Sequence, residues 1–286
     1  LSSLVMPEGF SLRGMRIALD CAHGATYHVA PSVLGELGAE VIAMGVQPDG
    51  FNINEGVGST DLSALSTLVK DTGADFGIAF DGDGDRVLFV DAEGEVVDGD
   101  ELVYIIAMHR LATGHSDAGV VGTLMSNLGL ELALRDAGLE LDRARVGDRF
   151  VKELMEARGW SLGGESSGHI ICSDVTTTGD GIVAALQVLL ALEAAEGGLA
   201  AVRSGIQLCP QTMINVAMTD RSALDDNPGV HAAVSQVEEQ LSDRGRVLLR
   251  PSGTEPVVRV MVEGQDADEV HRLCSDLAQE VERVLA

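Results

Sequence analysis

Short apolar runs alternate with amphipathic segments along the first part of the chain. Nearly continuous apolar runs predict strands that are buried on both faces, and they occupy residues 15–20, 40–44, 76–80 and 87–91. Helical patterns at residues 26–37 and 62–72 separate the first three of these runs. Because strands that alternate with helices usually pair in parallel, this order predicts a sheet with helices packed on its faces.

The next part of the chain repeats this scheme, and the last part departs from it. The repeat comprises predicted strands at residues 119–124, 139–146 and 169–174, with helices at 128–137, 150–158 and from 181 onward. The last part has predicted strands at residues 212–219, 246–250 and 257–263, with helices at 230–241 and 267–285. We therefore predict two similar α/β blocks, followed by a smaller α+β domain on an antiparallel sheet.

Composition and charge narrow the range of partners. With 286 residues, 45% of them hydrophobic, and 34 glycines, the chain has the composition of a globular α/β protein. Its net charge of −26 argues against nucleic acid or an anionic membrane surface as a partner, since both require basic patches. Of the 19 basic residues, 17 are arginines, so an anionic ligand would need a local arginine pocket.

The cysteines and the hydropathy of the chain indicate where in the cell the protein is located. The four cysteines lie far apart and form no CxxC pair, which favours buried thiols in a reducing cytoplasm over a disulfide framework. The longest apolar run, residues 181–192, is shorter than the roughly 20 residues that span a bilayer. We therefore predict a cytoplasmic protein without a membrane partner.

The stretch "GIAFDGDGDRVLFVD" at residues 77–91 places Asp81, Asp83 and Asp85 at alternate positions, with glycine between them. Three carboxylates this close repel one another, and a shared cation would resolve the conflict. A short loop of hard oxygen ligands after a strand suits Mg²⁺. An EF-hand is excluded because Arg86 and Ala92 occupy its required Gly and Glu positions. A solvated Asp/Gly turn and a dehalogenase-type phosphatase with Asp81 as nucleophile remain alternatives.

The stretch "GGESSGH" at residues 163–169 carries Glu165 and Ser167 in a glycine-flanked loop. A carboxylate and a hydroxyl two residues apart are suited to binding adjacent hydroxyls of a sugar, although a plain turn explains the loop equally well. Gly164-x-Ser166-x-Gly168 also matches the nucleophile elbow of serine hydrolases. That motif requires a helix after the serine, whereas the residues that follow here are strand-like.

The stretch "RPSGTEPVVR" at residues 250–259 is a candidate phosphate site. Arg250 ends one predicted strand and Arg259 lies in the next, so an antiparallel turn would bring both guanidiniums to one mouth. Hydroxyls and backbone N–H groups would complete the cradle, supplied by Ser252, Gly253 and Thr254. An exposed polar hairpin is the alternative.

Together, "DGDGDR", "GESSGH" and "RPSGTEP" resemble the metal, sugar and phosphate loops of the α-D-phosphohexomutase family, in the same order and spacing. The resemblance covers essentially the whole chain. It implies two related three-layer α/β domains and a smaller α+β C-terminal domain like the TATA-binding protein. Flanking segments such as "DCAHGATY" and "TTTGDGIVAALQ" point to the branch that converts glucosamine 6-phosphate to glucosamine 1-phosphate, for UDP-N-acetylglucosamine and cell-wall synthesis.

Carried over residue by residue, the resemblance assigns a role to each candidate side chain. Asp81, Asp83 and Asp85 would hold Mg²⁺, and Arg86 would steady the phosphoryl group in transfer. Glu165 and Ser167 would bind the sugar hydroxyls, with His169 as a proton-handling group. The phosphate that does not react would be bound by Arg250, Ser252, Gly253, Thr254 and Arg259.

The chain departs from the family in one respect. No stretch resembles "TASHNP", which carries the family's nucleophilic serine in its first domain. Residues 1–12 are therefore interpreted as a connector from a missing first domain, followed by domains at 13–114, 115–207 and 208–286, and the chain alone is predicted to be inactive. A hexosamine phosphate is the expected ligand. A homodimer is the expected assembly. Glucose or mannose phosphate specificity and a non-catalytic sugar-phosphate binding module remain alternatives.

Overall fold

The computed structural model describes residues 6–218, 227–252 and 256–285. The chain forms two compact units. One unit comprises Leu1–Ser126 and Leu130–Ile206, and the other comprises Asn127–Gly129 and Gln207–Ala286.

The first unit contains two sheets. The strands of the first sheet are β1 Arg16–Asp20, β2 Glu40–Met44, β3 Phe76–Phe80, β4 Val87–Asp91 and β5 Val96–Val97, in the spatial order β2-β1-β3-β4-β5. Strand β1 pairs in parallel with β2 and β3, whereas β3 pairs antiparallel with β4. Two helices connect these strands, α1 Val29–Glu36 and α2 Ser63–Thr72. The predicted parallel core of the first block is therefore confirmed.

The second sheet repeats the first. Its strands are β6 Gly119–Thr123, β7 Glu140–Ala144, β8 Leu162–Gly164 and β9 Ile170–Cys172, in the order β7-β6-β8-β9. Strand β6 pairs in parallel with β7 and β8, and β8 pairs antiparallel with β9. The β3–β4 connection of the first sheet and the β8–β9 connection of the second therefore occupy equivalent positions.

Five helices complete this part of the chain. They are α3 Gly99–Ala112, α4 Leu128–Asp136, α5 Asp148–Arg158, α6 Gly181–Ala194 and α7 Gly198–Arg203. Helix α6 begins where the pattern predicts, and the Asp180 side chain accepts hydrogen bonds from the N–H groups of Ile182 (2.9 Å) and Val183 (3.0 Å), as an N-cap does. Helix α3 has no counterpart in the predicted elements. It is buried on nearly all sides, so its sequence lacks the polar stripe that marks an amphipathic helix.

Apolar clusters fill the space between each sheet of the first unit and its helices. Leu65 and Val69 of α2 pack with Ala18 and Ala79 of the first sheet. Val151 and Met155 of α5 pack in the same way against the second sheet. Among the described residues, no helix has the length and hydropathy needed to cross a bilayer.

The second unit is the smaller α+β domain that the sequence predicts. Its strands are β10 Gln211–Ala217, β11 Gly245–Pro251 and β12 Val257–Gly264, in the antiparallel order β10-β12-β11. Its helices are α8 Pro228–Leu241 and α9 Ala267–Leu285, with a 3₁₀ turn at Ser242–Arg244 between α8 and β11. Val258, Val260 and Val262 point to the core shared with both helices. Because side chains alternate along a strand, Arg259 lies on the opposite face.

Candidate functional site

The β3–β4 loop, residues 81–86, brings three carboxylates together at the carboxyl end of a buried strand. Asp81 follows β3 directly and is buried, Asp83 is exposed and Asp85 is half-buried. One ligand oxygen from each lies within 4.8 Å of the other two. Glycines at positions 82 and 84 allow this convergence, and Gly84 has a φ of 80° that disfavours other residues.

Hydrogen bonds hold the loop in this shape. Asp81 Oδ1 accepts hydrogen bonds from the N–H groups of Gly84 (3.0 Å) and Arg86 (3.2 Å). Neighbouring segments support the loop from outside, because the N–H of Ala25 donates to the Gly82 carbonyl (2.8 Å) and that of Gly181 to the Gly84 carbonyl (2.9 Å). The second of these donors is the first residue of α6, so the positive end of that helix lies beside the acidic loop.

Electrostatics in the loop favour a bound cation. Burial, the largest effect, acts together with the neighbouring carboxyls of Asp83 and Asp85 to raise the pKa of Asp81 to about 6, although a backbone hydrogen bond from Arg86 lowers it in part. The Arg86 Nε lies 4.0 Å from an Asp81 oxygen and 3.8 Å from an Asp85 oxygen, but its side chain is 44% exposed. This partial neutralisation leaves the trio with an excess of negative charge.

The donor set fits Mg²⁺. The buried Asp85 Oδ1 has no hydrogen-bond partner among the described residues. An orphaned carboxylate oxygen, beside two further carboxylates on a short loop, is the arrangement a hard divalent ion completes. The three aspartates are therefore residues that can hold Mg²⁺.

His169 joins this loop to the β8–β9 connection. Its ring is 95% buried, and its Nδ1 lies 3.1 Å from Asp85 Oδ2. An ionised carboxylate can only accept, so Nδ1 is the donor in this pair. The backbones of Arg86 and His169 also form an isolated antiparallel bridge, and the Val87 N–H donates to the Gly168 carbonyl (3.1 Å). The sequence placed His169 near the sugar loop but gave no signal of its contact with Asp85.

Glu165 and Ser167 lie in this β8–β9 loop. Glu165 Oε1 accepts a hydrogen bond from the Gly147 N–H (2.8 Å), and Ser167 Oγ lies 3.4 Å from Oε2. Ser167 is exposed and Glu165 is half-buried. No helix follows Ser166, because the chain enters β9, so the match to a nucleophile elbow is a coincidence, as predicted.

The segment before α5 contributes to the site through its backbone. The side chain of Arg149, in the first turn of α5, is 79% exposed and pairs with Glu153 at 2.7 Å. The contact to the loop comes instead from the backbone of Gly147, which has a φ of 124°. A backbone donor has no side-chain signature, so sequence reasoning missed it.

The second unit carries the arginine pair. Arg250 of β11 and Arg259 of β12 are directly opposite each other in the antiparallel register, and Asn215 of β10 lies opposite Arg259 on its other side. Residues directly opposite each other in an antiparallel pair project from the same face of the sheet, so both guanidiniums start from one face. Ser252 is buried, and its N–H donates to the Val257 carbonyl (2.8 Å). Gly253 and Thr254, also predicted to bind phosphate, lie outside the described residues.

Three protein-family models match consecutive parts of the chain. They are the phosphoglucomutase/phosphomannomutase alpha/beta/alpha domain II at residues 5–94, alpha/beta/alpha domain III at 98–207 and the C-terminal domain at 213–280. The chain therefore belongs to the phosphoglucomutase/phosphomannomutase family.

Within the family, the chain is similar to curated proteins named phosphoglucosamine mutase. The protein of Cellvibrio japonicus is 57% identical over 281 residues, which cover 98% of this chain and 63% of the relative. The protein of Aeromonas hydrophila is 55% identical over 276 residues, which cover 96% of this chain and 62% of the relative. The chain thus spans less than two thirds of the length of these relatives.

Solved structures agree with the fold. A phosphoglucomutase/phosphomannomutase family protein of Burkholderia thailandensis matches 99% of this chain and 63% of its own, with a TM-score of 0.80 and 20% identity. The N-acetylphosphoglucosamine mutase of Aspergillus fumigatus, in complex with GlcNAc-6P and magnesium, matches 96% of this chain and 67% of its own. The TM-score is 0.73 and the identity is 20%. At such identities the likeness concerns the fold alone.

Proposed function

We propose that this chain is the metal-, sugar- and phosphate-binding part of a phosphoglucosamine mutase, which interconverts glucosamine 6-phosphate and glucosamine 1-phosphate. One observation carries the proposal. Three carboxylates converge within 4.8 Å at the end of β3, and His169 connects them to the loop that carries Glu165 and Ser167. The relatives at more than half identity bear this name, which supports the choice of glucosamine phosphate.

Asp81, Asp83 and Asp85 would hold Mg²⁺. When bound, the ion would neutralise charge on the transferring phosphoryl group and orient it. Arg86 would add a second positive charge at the same place, because its guanidinium is partly exposed beside the trio. Phosphoryl transfer asks the protein mainly for positioning and charge neutralisation, which these four side chains are suited to supply.

Glu165 and Ser167 would bind the sugar. The Gly147 N–H holds one oxygen of Glu165, so the carboxylate is oriented before the ligand arrives. Its second oxygen and the exposed hydroxyl of Ser167 can then bind neighbouring ring hydroxyls. A reaction that passes through a 1,6-bisphosphate requires the sugar to bind in two orientations, and generic hydroxyl contacts of this kind tolerate both.

Arg250, Ser252 and Arg259 would bind the phosphate group that is not transferred, together with Gly253 and Thr254. Support comes from the directly opposed positions of the two arginines, which place both side chains on one face of neighbouring strands. Arginine also suits phosphate because its planar fork donates two parallel hydrogen bonds.

The domain division at 13–114, 115–207 and 208–286 is part of the proposal, as is a cytoplasmic location, which four free cysteines support. A homodimer is proposed as its assembly. The phosphoryl carrier would be a serine in a "TASHNP"-like motif, which does not occur among these 286 residues.

The test supplies that serine from a relative. The chain is fused behind a family first domain that carries the "TASHNP"-like motif, phosphorylated on its serine, and assayed with Mg²⁺ and a trace of hexosamine 1,6-bisphosphate. We expect formation of glucosamine 1-phosphate from glucosamine 6-phosphate, with much slower turnover of glucose and mannose 6-phosphates. The unfused chain should bind glucosamine 6-phosphate without converting it.

Three outcomes would contradict the proposal. Preference of the fusion for glucose or mannose phosphate would reassign the substrate within the family. Steady release of inorganic phosphate by the unfused chain, lost in Asp81→Asn, would indicate a phosphatase. A folded, phosphorylated fusion that binds hexose phosphates and turns over none of them would indicate a binding module.

A further inference from the structure

The contact between His169 and Asp85 joins two loops that belong to different sheets. Asp85 lies in the β3–β4 loop, and His169 is the last residue before β9. Gly179 lies close to the other side of the ring, since a Cβ placed on it would be only 2.3 Å from His169 Nε2. The imidazole is therefore held between the Gly179 backbone on one side and the Asp85 carboxylate on the other.

The two oxygens of Asp85 have separate environments. Oδ2 is 3.1 Å from His169 Nδ1, whereas the buried Oδ1 has no hydrogen-bond partner in the described part of the chain and has the Arg86 Nε at 3.8 Å. Such a division fixes the rotation of the carboxylate and leaves one oxygen for a cation. Residues that hydrogen-bond to a metal ligand commonly orient that ligand without binding the metal themselves.

The same histidine ends the turn that carries Glu165. The Glu165 N–H donates to the His169 carbonyl (3.1 Å), and the Gly168 N–H donates to the Glu165 carbonyl (2.9 Å). The Gly168 carbonyl in turn accepts from the Val87 N–H, directly after the acidic loop. A ligand that orders Glu165 and Ser167 thereby also orders the backbone that positions the imidazole.

We propose that His169 is a positioning residue that couples the two loops, so that Mg²⁺ at the aspartates and a sugar at Glu165 and Ser167 bind cooperatively. The identity of the two ligands rests on the proposed function. The new element is the energetic coupling between their binding sites. Each ligand orders the same turn, so the second to bind meets a smaller loss of conformational entropy. Coupling of this kind is reciprocal, and commonly about 5- to 150-fold in affinity.

The experiment measures binding to the 286-residue chain by calorimetry, without any turnover. We expect saturating glucosamine 6-phosphate to tighten Mg²⁺ binding by at least about fivefold, and saturating Mg²⁺ to tighten glucosamine 6-phosphate binding by the same factor. Hydrogen exchange at the Val87 amide, which donates to Gly168, should slow when either ligand is added.

A matched pair of variants isolates the imidazole. His169→Leu removes the donor and should weaken Mg²⁺ binding by about 10- to 100-fold, with loss of the cooperativity. His169→Asn is smaller but can place an amide donor where Nδ1 was, so it should keep Mg²⁺ affinity within about threefold and retain most of the cooperativity. His115→Leu is the control, since His115 faces Asp174 at 3.7 Å in another part of this unit and should behave as the parent.

The outcomes separate this inference from the function it rests on. If the parent binds both ligands independently, or if folded His169→Leu keeps both the Mg²⁺ affinity and the cooperativity, the coupling is wrong and the proposed function stands. Cooperativity that survives in His169→Leu and Glu165→Gln alike would come from direct contact between phosphate and metal, which also overturns the inference. A parent that binds neither ligand would overturn both proposals.

Discussion

The β3–β4 and β8–β9 loops occupy the same place in two sheets of the same topology, yet they differ in the number of charged side chains and in how these are hydrogen-bonded. The first concentrates three carboxylates, and burial raises the pKa of Asp81 to about 6. The second carries a single carboxylate, Glu165, which the Gly147 N–H and the Ser167 hydroxyl both contact. The first loop gathers like charges that a cation could neutralise, whereas the single carboxylate of the second already accepts a hydrogen bond from the protein backbone.

The difference shows where function resides in a repeated fold. The strand order supplies a rigid frame and an equivalent edge, and the residues of each loop decide what binds there. Both loops are also held by close backbone contacts at a glycine in another segment, Gly24 for the acidic loop and Gly99 for the sugar loop.

Gly24→Ala and Gly99→Ala should each damage one loop. A Cβ on Gly24 would lie 2.2 Å from the Gly82 carbonyl oxygen, and a Cβ on Gly99 would lie 2.0 Å from that of Glu165. Since both neighbours are backbone, we expect losses of about 1–3 kcal/mol in the free energy of unfolding, measured in urea. Mg²⁺ binding should weaken in Gly24→Ala, and glucosamine 6-phosphate binding should weaken in Gly99→Ala.

The control for this pair is Gly35→Ala. Gly35 lies in α1, is exposed and has nothing within 4 Å of its ideal Cβ, so alanine there should stabilise the chain by about 0.5–1 kcal/mol. If Gly99→Ala were equally stabilising, helix propensity would outweigh the contact, and the loop would not depend on it.

Asp83→Asn and Glu165→Gln test the assignment of metal to one loop and sugar to the other. Removing a ligand charge should weaken Mg²⁺ binding by about tenfold or more in Asp83→Asn, since fewer carboxylates remain to offset dehydration of the ion. Glu165→Gln should leave the affinity for Mg²⁺ alone unchanged. Calorimetric titration without sugar phosphate measures both, and equal Mg²⁺ affinity in Asp83→Asn and the parent would rule the loop out as a metal site.

Arg250→Lys tests whether phosphate recognition is separate from both loops. Lysine keeps the charge but loses the planar fork, so glucosamine 6-phosphate should bind several-fold more weakly, a loss of about 1 kcal/mol. Mg²⁺ affinity without the sugar phosphate should not change. Unaltered sugar-phosphate binding by Arg250→Lys would mean that this side chain does not bind the phosphate as a fork.

Asp81→Asn gives the smallest effect and depends on pH. The folded chain keeps the Asp81 proton up to about pH 6, whereas the reference pKa is 3.8, so the free energy of unfolding falls as the pH rises between these values. Asparagine can still accept the two backbone hydrogen bonds. In EDTA we expect the variant to be more stable than the parent by on the order of 1 kcal/mol at pH 7.5, with little difference at pH 4.

Urea unfolding at several pH values measures this difference, and Mg²⁺ provides the converse test. The ion binds the ionised carboxylates, so it should stabilise the parent at pH 7.5 and have much less effect on Asp81→Asn. A stability difference between the parent and Asp81→Asn that stays the same between pH 4 and 7.5 in EDTA would show that burial does not perturb Asp81.

Local spacing allowed much of the acidic loop to be predicted from the sequence. Residues at positions 81, 83 and 85 are covalently close, and two glycines leave few obstacles to their convergence, so no long-range information was needed. The strands on either side were equally clear, because a buried strand is a short apolar run whatever it packs against. Helix α3 was missed for the converse reason, since burial on nearly all sides removes the polar stripe that marks a helix.

The sequence by itself determined the strand–helix alternation, the acidic trio and the presence of arginines on neighbouring strands of the second unit. Only the tertiary structure decided that Arg250 stands directly opposite Arg259, that the Gly147 backbone holds Glu165, and that His169 contacts Asp85 across 84 residues of chain. Register, backbone donors and contacts between sheets depend on how separately folded segments pack. No residue type or local spacing encodes that packing, because each partner would look the same in the sequence if the other lay elsewhere.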